Sequence, residues 1–418
     1  VTPRADLTLL FAARILRMFA YGTLSVALVL YLAATGMDVA RIGLLLTFTL
    51  LGDAALSLVL STRADRWSRR RTLVIGAVLM FLGGTGMALS DDFIWLLVAA
   101  TIGVISPTGS EVGPFLAIEQ ACLAQVSPDH RRTHIFARYH VAGYAATALG
   151  ALTGGAAVAA LRHAGWNELD SYRVLLWGYA GIGIALGILA LKLGPEVEAP
   201  RVISSGPTFL GLSESRGTVA RLSTLFALDA FAGGFIIQSI LVYWFHTRFG
   251  ASEATLGAVF FGTNILSGVS ALAAVPIARR FGLVNTMVWT HLPSNVLLIL
   301  VPLMPNLALA VTVLLVRHTL SQMDVPTRQS YVNAIIPPFE RSAANGVIGT
   351  ARQLGASLGP VAAAPLLAAA AWMSAPFVVA GGLKIIYDLA LWHAFIHHRP
   401  PEERKSVSKE TAKITKAD

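Results

Sequence analysis

The feature that most constrains this chain is a succession of long apolar runs, each broken by a few polar or turn-forming residues. A helix of roughly 20 apolar residues is long enough to cross a hydrocarbon core of about 30 Å. Twelve such runs are read, over residues 7–34, 41–60, 72–90, 93–123, 134–160, 171–193, 218–245, 255–278, 284–304, 307–336, 341–371 and 374–396. They are uniformly apolar rather than alternating, which excludes a β-barrel. Only 13% of the 418 residues are charged, against roughly 25% in a soluble domain. The expected fold class is an all-α membrane protein with twelve transmembrane helices.

Short turns between the runs carry helix breakers, such as Thr35-Gly36, Asp91-Asp92, Ser127-Pro128 and Pro305-Asn306. Residues 194–217, rich in Gly, Pro, Ser and charge, read as a linker. They separate a first six-helix half, 1–193, from a second, 218–396, which is followed by a basic tail, 397–418. Lysine and arginine crowd the loops on one side, whereas the other side's loops hold Arg41, Arg162, Arg173 and Arg248. The crowded side, both termini included, is therefore expected in the cytoplasm, with the protein in the plasma (inner) membrane. Topology thus accounts for the net charge of +9, and no nucleic-acid partner is expected. The single cysteine, Cys122, excludes an internal disulfide and a cysteine-based metal site. No cleavable leader is expected.

The loop between the second and third runs is the most highly charged of the short ones. Over 61–73 it reads Ser-Thr-Arg-Ala-Asp-Arg-Trp-Ser-Arg-Arg-Arg-Thr-Leu, setting Asp65 among five arginines. Residues 275–288 echo it at a constant offset of 214: Ala64 falls on Ala278, Arg66 on Arg280 and Thr72 on Thr286. Upstream, Gly36 falls on Gly250 and Gly43 on Gly257. The two halves are built alike.

These residues resemble the major facilitator superfamily, whose first signature, between helices 2 and 3, reads Gly-x-x-x-Asp-Arg-x-Gly-Arg-Arg. Asp65, Arg66, Arg69 and Arg70 match it, and the resemblance implies that they form a gating motif. Ser61 and Ser68 replace both glycines, which predicts a looser turn. The loops at 128–133 and 338–342 are also similar to that family. The resemblance covers essentially the whole chain and implies two parallel six-helix repeats related by an axis along the membrane normal. Residues 149–155, Leu-Gly-Ala-Leu-Thr-Gly-Gly, are similar to the family's antiporter signature Gly-Pro-x-x-Gly-Gly, with Ala151 in place of proline. The eleventh run carries a half-match from Gly355 to Pro360. Small residues also serve ordinary close packing of helices.

Ionisable groups inside hydrocarbon are costly and point to function unless they pair with one another. At ~1.5 Å per residue, Arg17, Asp53, Asp229, Arg317, His318 and Arg352 fall near the middle of their runs. Arg17 and Asp229 are equivalent in the repeat, as are Glu111 and Asp324 nearer the cytoplasm. Asp324 with Arg328, and Lys384 with Asp388, stand four residues apart and are expected to pair within their own helices. Lys384 is set aside, with the twelfth helix expected to lie outside the cavity. Glu119 reads as interfacial and Arg14 as snorkelling to the cytoplasmic face. Arg17, Arg317 and Arg352 are then candidate substrate ligands. Asp229, Glu111, Asp324 and His318 are candidate proton-coupling groups. An imidazole's unperturbed pKa, ~6.5, lies in the working range, although a satisfied core histidine fits His318 equally well.

No nucleophile constellation, Gly-rich phosphate loop or metal-ligand spacing is present, so no cofactor or metal is expected. The chain reads as a secondary active transporter, a monomer in the lipid bilayer that works by alternating access. Its expected cargo is a small organic solute, anionic or zwitterionic, moved by proton antiport as export. Proton-coupled uptake is the alternative within the class, and an integral-membrane enzyme is the alternative outside it.

Overall fold

A computed structural model describes residues 3–111, 114–127, 132–198, 212, 214–337 and 340–396, with the backbone alone at 3, 4, 62, 63, 65, 66, 124, 132–134 and 342. The basic tail, most of the linker and the loops at 128–131 and 338–339 lie outside the described residues, as do the side chains of Asp65 and Arg66.

Helices α1 (Pro3–Ala34), α2 (Val39–Trp67) and α3 (Arg69–Leu89) form the first three spans. The fourth is divided into α4 (Phe93–Ile102) and α5 (Phe115–Val126), and α6 (Arg132–His163) and α7 (Glu168–Leu191) complete the half. The second half repeats the plan, with α8 (Arg216–Gly234) and α9 (Gln238–Phe249) sharing its first span. There follow α10 (Glu253–Phe281), α11 (Leu283–Leu300), the divided pair α12 (Leu307–His318) and α13 (Asp324–Ile335), then α14 (Arg341–Ala368) and α15 (Ala375–Phe395). Helices α2 and α10 are both 29 residues long and begin 214 residues apart, as the repeat requires. The outward faces are apolar, with Leu82, Ile94, Ile184, Val269 and Ile386 exposed, as a lipid solvent demands.

Three spans expected to be continuous, 93–123, 218–245 and 307–336, are interrupted. In the first, Gly103, Pro107 and Gly109 break the ladder, and Gly109 takes φ +65°. In the second, Gly233-Gly234 precedes the break. In the third, Pro326 would clash with the carbonyl four residues earlier, so α13 begins anew at Asp324. Broken backbone inside a membrane must find partners in the protein. Here the breaks serve each other across the two halves: the Ser239 N–H and hydroxyl donate to the Pro107 carbonyl at 3.2 and 2.7 Å.

The turn at Ser68 is no looser than a glycine turn. Ser68 adopts φ +112° where its repeat mate Gly282 adopts +84°. Thr72 and Thr286 then donate equivalent hydrogen bonds to the Ser68 and Gly282 carbonyls. The strained serine is held by Glu198, whose carboxylate accepts from Ser68 Oγ (2.5 Å), the Arg69 N–H (2.8 Å) and the Arg70 N–H (3.3 Å) at the start of α3. An anion there satisfies orphan donors and complements the helix dipole.

Between the halves, α2 packs along α14 and α6 along α10. The bonds joining them gather at the end away from the 61–73 loop, called the far end below. Thr47 accepts from the Val361 N–H at 3.0 Å. Glu253, at the start of α10, accepts from Arg162 and from the Tyr172 hydroxyl, each at 2.9 Å. At Gly155 a Cβ would collide with the Glu253 carbonyl, so the far-end seal requires a glycine there.

Candidate functional site

Among the described residues, most of the ionisable groups inside the bundle form two clusters, one in each half. In the first half, Arg17 on α1 is fully buried and grips two carboxylates. Its Nη1 and Nη2 meet both oxygens of Glu119 on α5 at 2.5 and 2.7 Å, and its Nε meets Glu111 at 2.9 Å. A planar guanidinium suits this two-pronged geometry. Arg14, one turn before Arg17 on the same face, is ion-paired with Glu111 and lies over the Tyr139 ring at 4.8 Å. The Tyr139 hydroxyl donates to Glu119. The cluster is balanced, with two arginines on two glutamates.

Two expectations are corrected here. Glu119 is 1% exposed and serves as the main partner of Arg17, so it is not interfacial. Arg14 is buried on a carboxylate and does not reach for the cytoplasmic face. Its spacing from Arg17 was the missed signal, because residues three apart share a helix face.

In the second half, Asp229 on α8 is the junction. Lys384 Nζ on α15 meets its Oδ1 at 2.5 Å and its backbone carbonyl at 3.3 Å, and Arg328 on α13 meets its Oδ2 at 3.4 Å. Arg328 also pairs with Asp324 at 2.9 Å, closing within α13 as expected. The expected pairing of Lys384 with Asp388 is not made. Asp388 instead accepts from His291 Nδ1 and Asn295 Nδ2 of α11, each at 2.8 Å. The twelfth span therefore contributes to the charged interior and is not a bystander.

Arg317 and Arg352 stand apart. Arg317, 7% exposed at the end of α12, has Nη1 3.3 Å from His318 Nε2, and His318 Nδ1 is 2.9 Å from Ser267 Oγ. Arg352 is half-buried on α14. Among the described residues neither arginine has a carboxylate in ion-pairing range, and the Nε of each is buried without a hydrogen-bond partner. Asp53 is buried on α2. The four candidate coupling groups thus separate: Asp229, Glu111 and Asp324 are all ion-paired, and His318 is bonded to Ser267 and Arg317. A mostly apolar cavity of about 270 Å³, lined by Phe19, Thr23, Ala157, Val174, Tyr179 and Ile182, lies between α1, α6 and α7, on residues that carry none of these charges. Among the described residues no group of three metal-ligating side chains is found.

Twelve spans in two repeated halves, with paired charges buried in each, define a polytopic membrane protein. The family model for the Major Facilitator Superfamily matches residues 10–316 and again 222–417, and the chain belongs to that superfamily of small-solute transporters. Over 422 aligned residues it is 31% identical to the Uncharacterized membrane protein YJR124C of Saccharomyces cerevisiae, covering 94% of each chain. The fold is that of the nucleoside transporter NupG, with TM-score 0.71 at 15% identity, covering 93% of this chain and 99% of that one. A D-xylose-proton symporter is similar too, with TM-score 0.72 at 15% identity, covering 92% and 97%.

Proposed function

We propose that the protein carries a small organic anion, or a zwitterion through its acidic group, together with a proton by alternating access. The observation that carries this reading is the pair Arg317 and Arg352, two cations inside the second half that, among the described residues, feel Asp229 and Asp324 only at longer range and have no carboxylate at ion-pairing distance. Arg14, Arg17, Arg328 and Lys384 are all ion-paired. A cation without an ion-pair partner inside a membrane protein is costly, and an anionic ligand would complete it. Arg17, held by two glutamates, is better suited to bracing the first half than to meeting the ligand.

Asp229 is the coupling carboxylate in this scheme. A proton on it removes the acceptor shared by Lys384 and Arg328 and leaves more positive charge for an anion. Proton and anion then favour each other's binding, a reciprocal coupling that suits movement in the same direction. Export by antiport is the second reading, favoured by the 149–155 stretch. There, however, Gly150 and Gly155 serve close approach to the Phe19 and Glu253 carbonyls. In this reading the 61–73 loop and both termini face the cytoplasm, as their basic residues favour, and the chain acts as a monomer in the plasma membrane. The bonded far end then fits a member of the cycle that is closed toward the outside.

Purified protein in liposomes, offered a panel of radiolabelled mono- and dicarboxylates under an imposed pH gradient, tests the proposal. Accumulation away from the acidic side, lost in Arg317→Gln and Arg352→Gln, is expected. Accumulation toward the acidic side supports antiport. Equal uptake by wild type and both variants removes the anion site.

A further inference from the structure

The charged network does not stop at Asp229. Lys384 and Asp388 stand one turn apart on α15 and face the same way, yet they hold different partners. Lys384 is on Asp229 at 2.5 Å, while Asp388 is on His291 and Asn295 at 2.8 Å each. His291 is 4% exposed and Asp388 1%. The groups acting on His291 can be named element by element. Helix α15 presents Asp388, Lys384 and the edge of the Tyr387 ring, 6.1 Å between centroids. Helix α13 presents Asp324, itself paired with Arg328, and α8 presents Asp229. On α11 itself the polar neighbour is Asn295. Helix α12, which also packs on α11, ends in Arg317 and His318, which contact each other, and α10, packed there too, carries Glu253 in its first turn and Arg279 and Arg280 in its last.

Charge balance then ties two sites together. A protonated His291 would neutralise Asp388 and leave Lys384 to Asp229, where the structure has it. With Nδ1–H donating to Asp388, the proton that charges the ring sits on Nε2. When that proton leaves to water, Asp388 becomes a buried carboxylate with no cation on it, which is strongly disfavoured. Lys384, one turn away on a flexible four-carbon stem, is placed to move to it. The i,i+4 spacing thus marks an alternative pairing of the same lysine.

We propose that His291 is a proton-binding residue of the transport cycle and that its protonation decides whether Lys384 is held by Asp229 or by Asp388. This deepens the proton-coupled reading above and rests on it, because moving Lys384 off Asp229 changes the charge that α8 presents. It brings in two helices, α11 and α15, that carry none of the candidate substrate ligands.

The test needs no substrate. Purified full-length protein labelled with ¹⁵N-histidine is titrated by NMR, and the His291 ring signals are assigned by their loss in His291→Gln. The titration is run from about pH 5 to pH 9, and His291 is expected to change protonation state within it. A parallel ¹⁵N-lysine sample should show the Lys384 Nζ signal moving with the same midpoint, which tests the exchange without any variant. Asp229→Asn should shift the His291 midpoint by about one pH unit while Lys384 is present, and by less than about a third of that in the Lys384→Met background. A wild-type His291 that keeps one protonation state across this range overturns the proposal. So does a Lys384 signal that ignores the His291 midpoint, or an Asp229→Asn shift that is the same with and without Lys384. Failure of anion transport would leave these titrations standing, so the two readings fail separately.

Discussion

Replacing Arg17 by Gln separates the arginines that brace the bundle from those left for a ligand. The substitution removes three charge-assisted bonds, at 2.9, 2.5 and 2.7 Å. Glu111 keeps Arg14 as a partner, but Glu119 keeps only the Tyr139 hydroxyl among the bonds described. Breaking a buried pair from one side costs roughly 3–5 kcal/mol, mostly for the orphaned charge. Because Glu111 stays paired and the glutamine can donate one bond, the lower end, about 3 kcal/mol, is expected. Arg317→Gln strips no carboxylate of its partner and should change stability by less than about 1 kcal/mol. The double variant Arg17→Gln/Glu119→Gln removes both members of the main pair and should recover at least half of the loss. Thermal unfolding of the purified proteins in one detergent, followed by tryptophan fluorescence, reads all three. Wild-type melting for Arg17→Gln, or equal losses for Arg17→Gln and Arg317→Gln, would refute the reasoning.

Three further outcomes are expected. In a Cys122→Ser background, a cysteine at Ser68 should resist an impermeant thiol reagent applied outside whole cells while one at Asp91 reacts; the reverse pattern would overturn the orientation. Ser68→Gly suits φ +112° and should be tolerated, whereas Ser68→Val should lose about 1–3 kcal/mol through strain at that position, measured by thermal unfolding; equal stability of the two would show that the turn is unstrained. Glu253→Gln weakens the acceptor shared by Arg162 and Tyr172, and loss of ~1.4 kcal/mol from the far-end seal should raise labelling of a cysteine at Thr47 from that side roughly tenfold; an unchanged rate would mean that Glu253 does not hold the seal.

The twelve spans and the twofold repeat were legible because both are written locally. An apolar run long enough to cross hydrocarbon admits a helix and little else, and the 214-residue offset brings α2 and α10 into register residue for residue. The breaks in the fourth, seventh and tenth spans were half-legible, marked by Gly103, Pro107, Gly233-Gly234 and Pro326, but obscured by the apolar residues around them. Many of the charged residues inside the bundle could be named from the sequence, because an ionisable group in an apolar run stands out, but His291 was passed over and Glu119 and Arg14 were placed at the membrane edge. The partners of these charges could not be named. Arg17 meets Glu119 across 102 residues and Lys384 meets Asp229 across 155, separations that no helical periodicity encodes. The local rule succeeded for Asp324 and Arg328 and failed for Lys384 and Asp388, although the spacing is the same. What differs is the neighbour: α11 brings His291 and Asn295 to Asp388, and α8 brings Asp229 to Lys384. Composition thus determined that the chain spans a membrane and which residues carry charge into it, while helix packing alone decided which of those charges neutralise one another, because ion pairing depends on distances of a few ångströms between side chains of different helices.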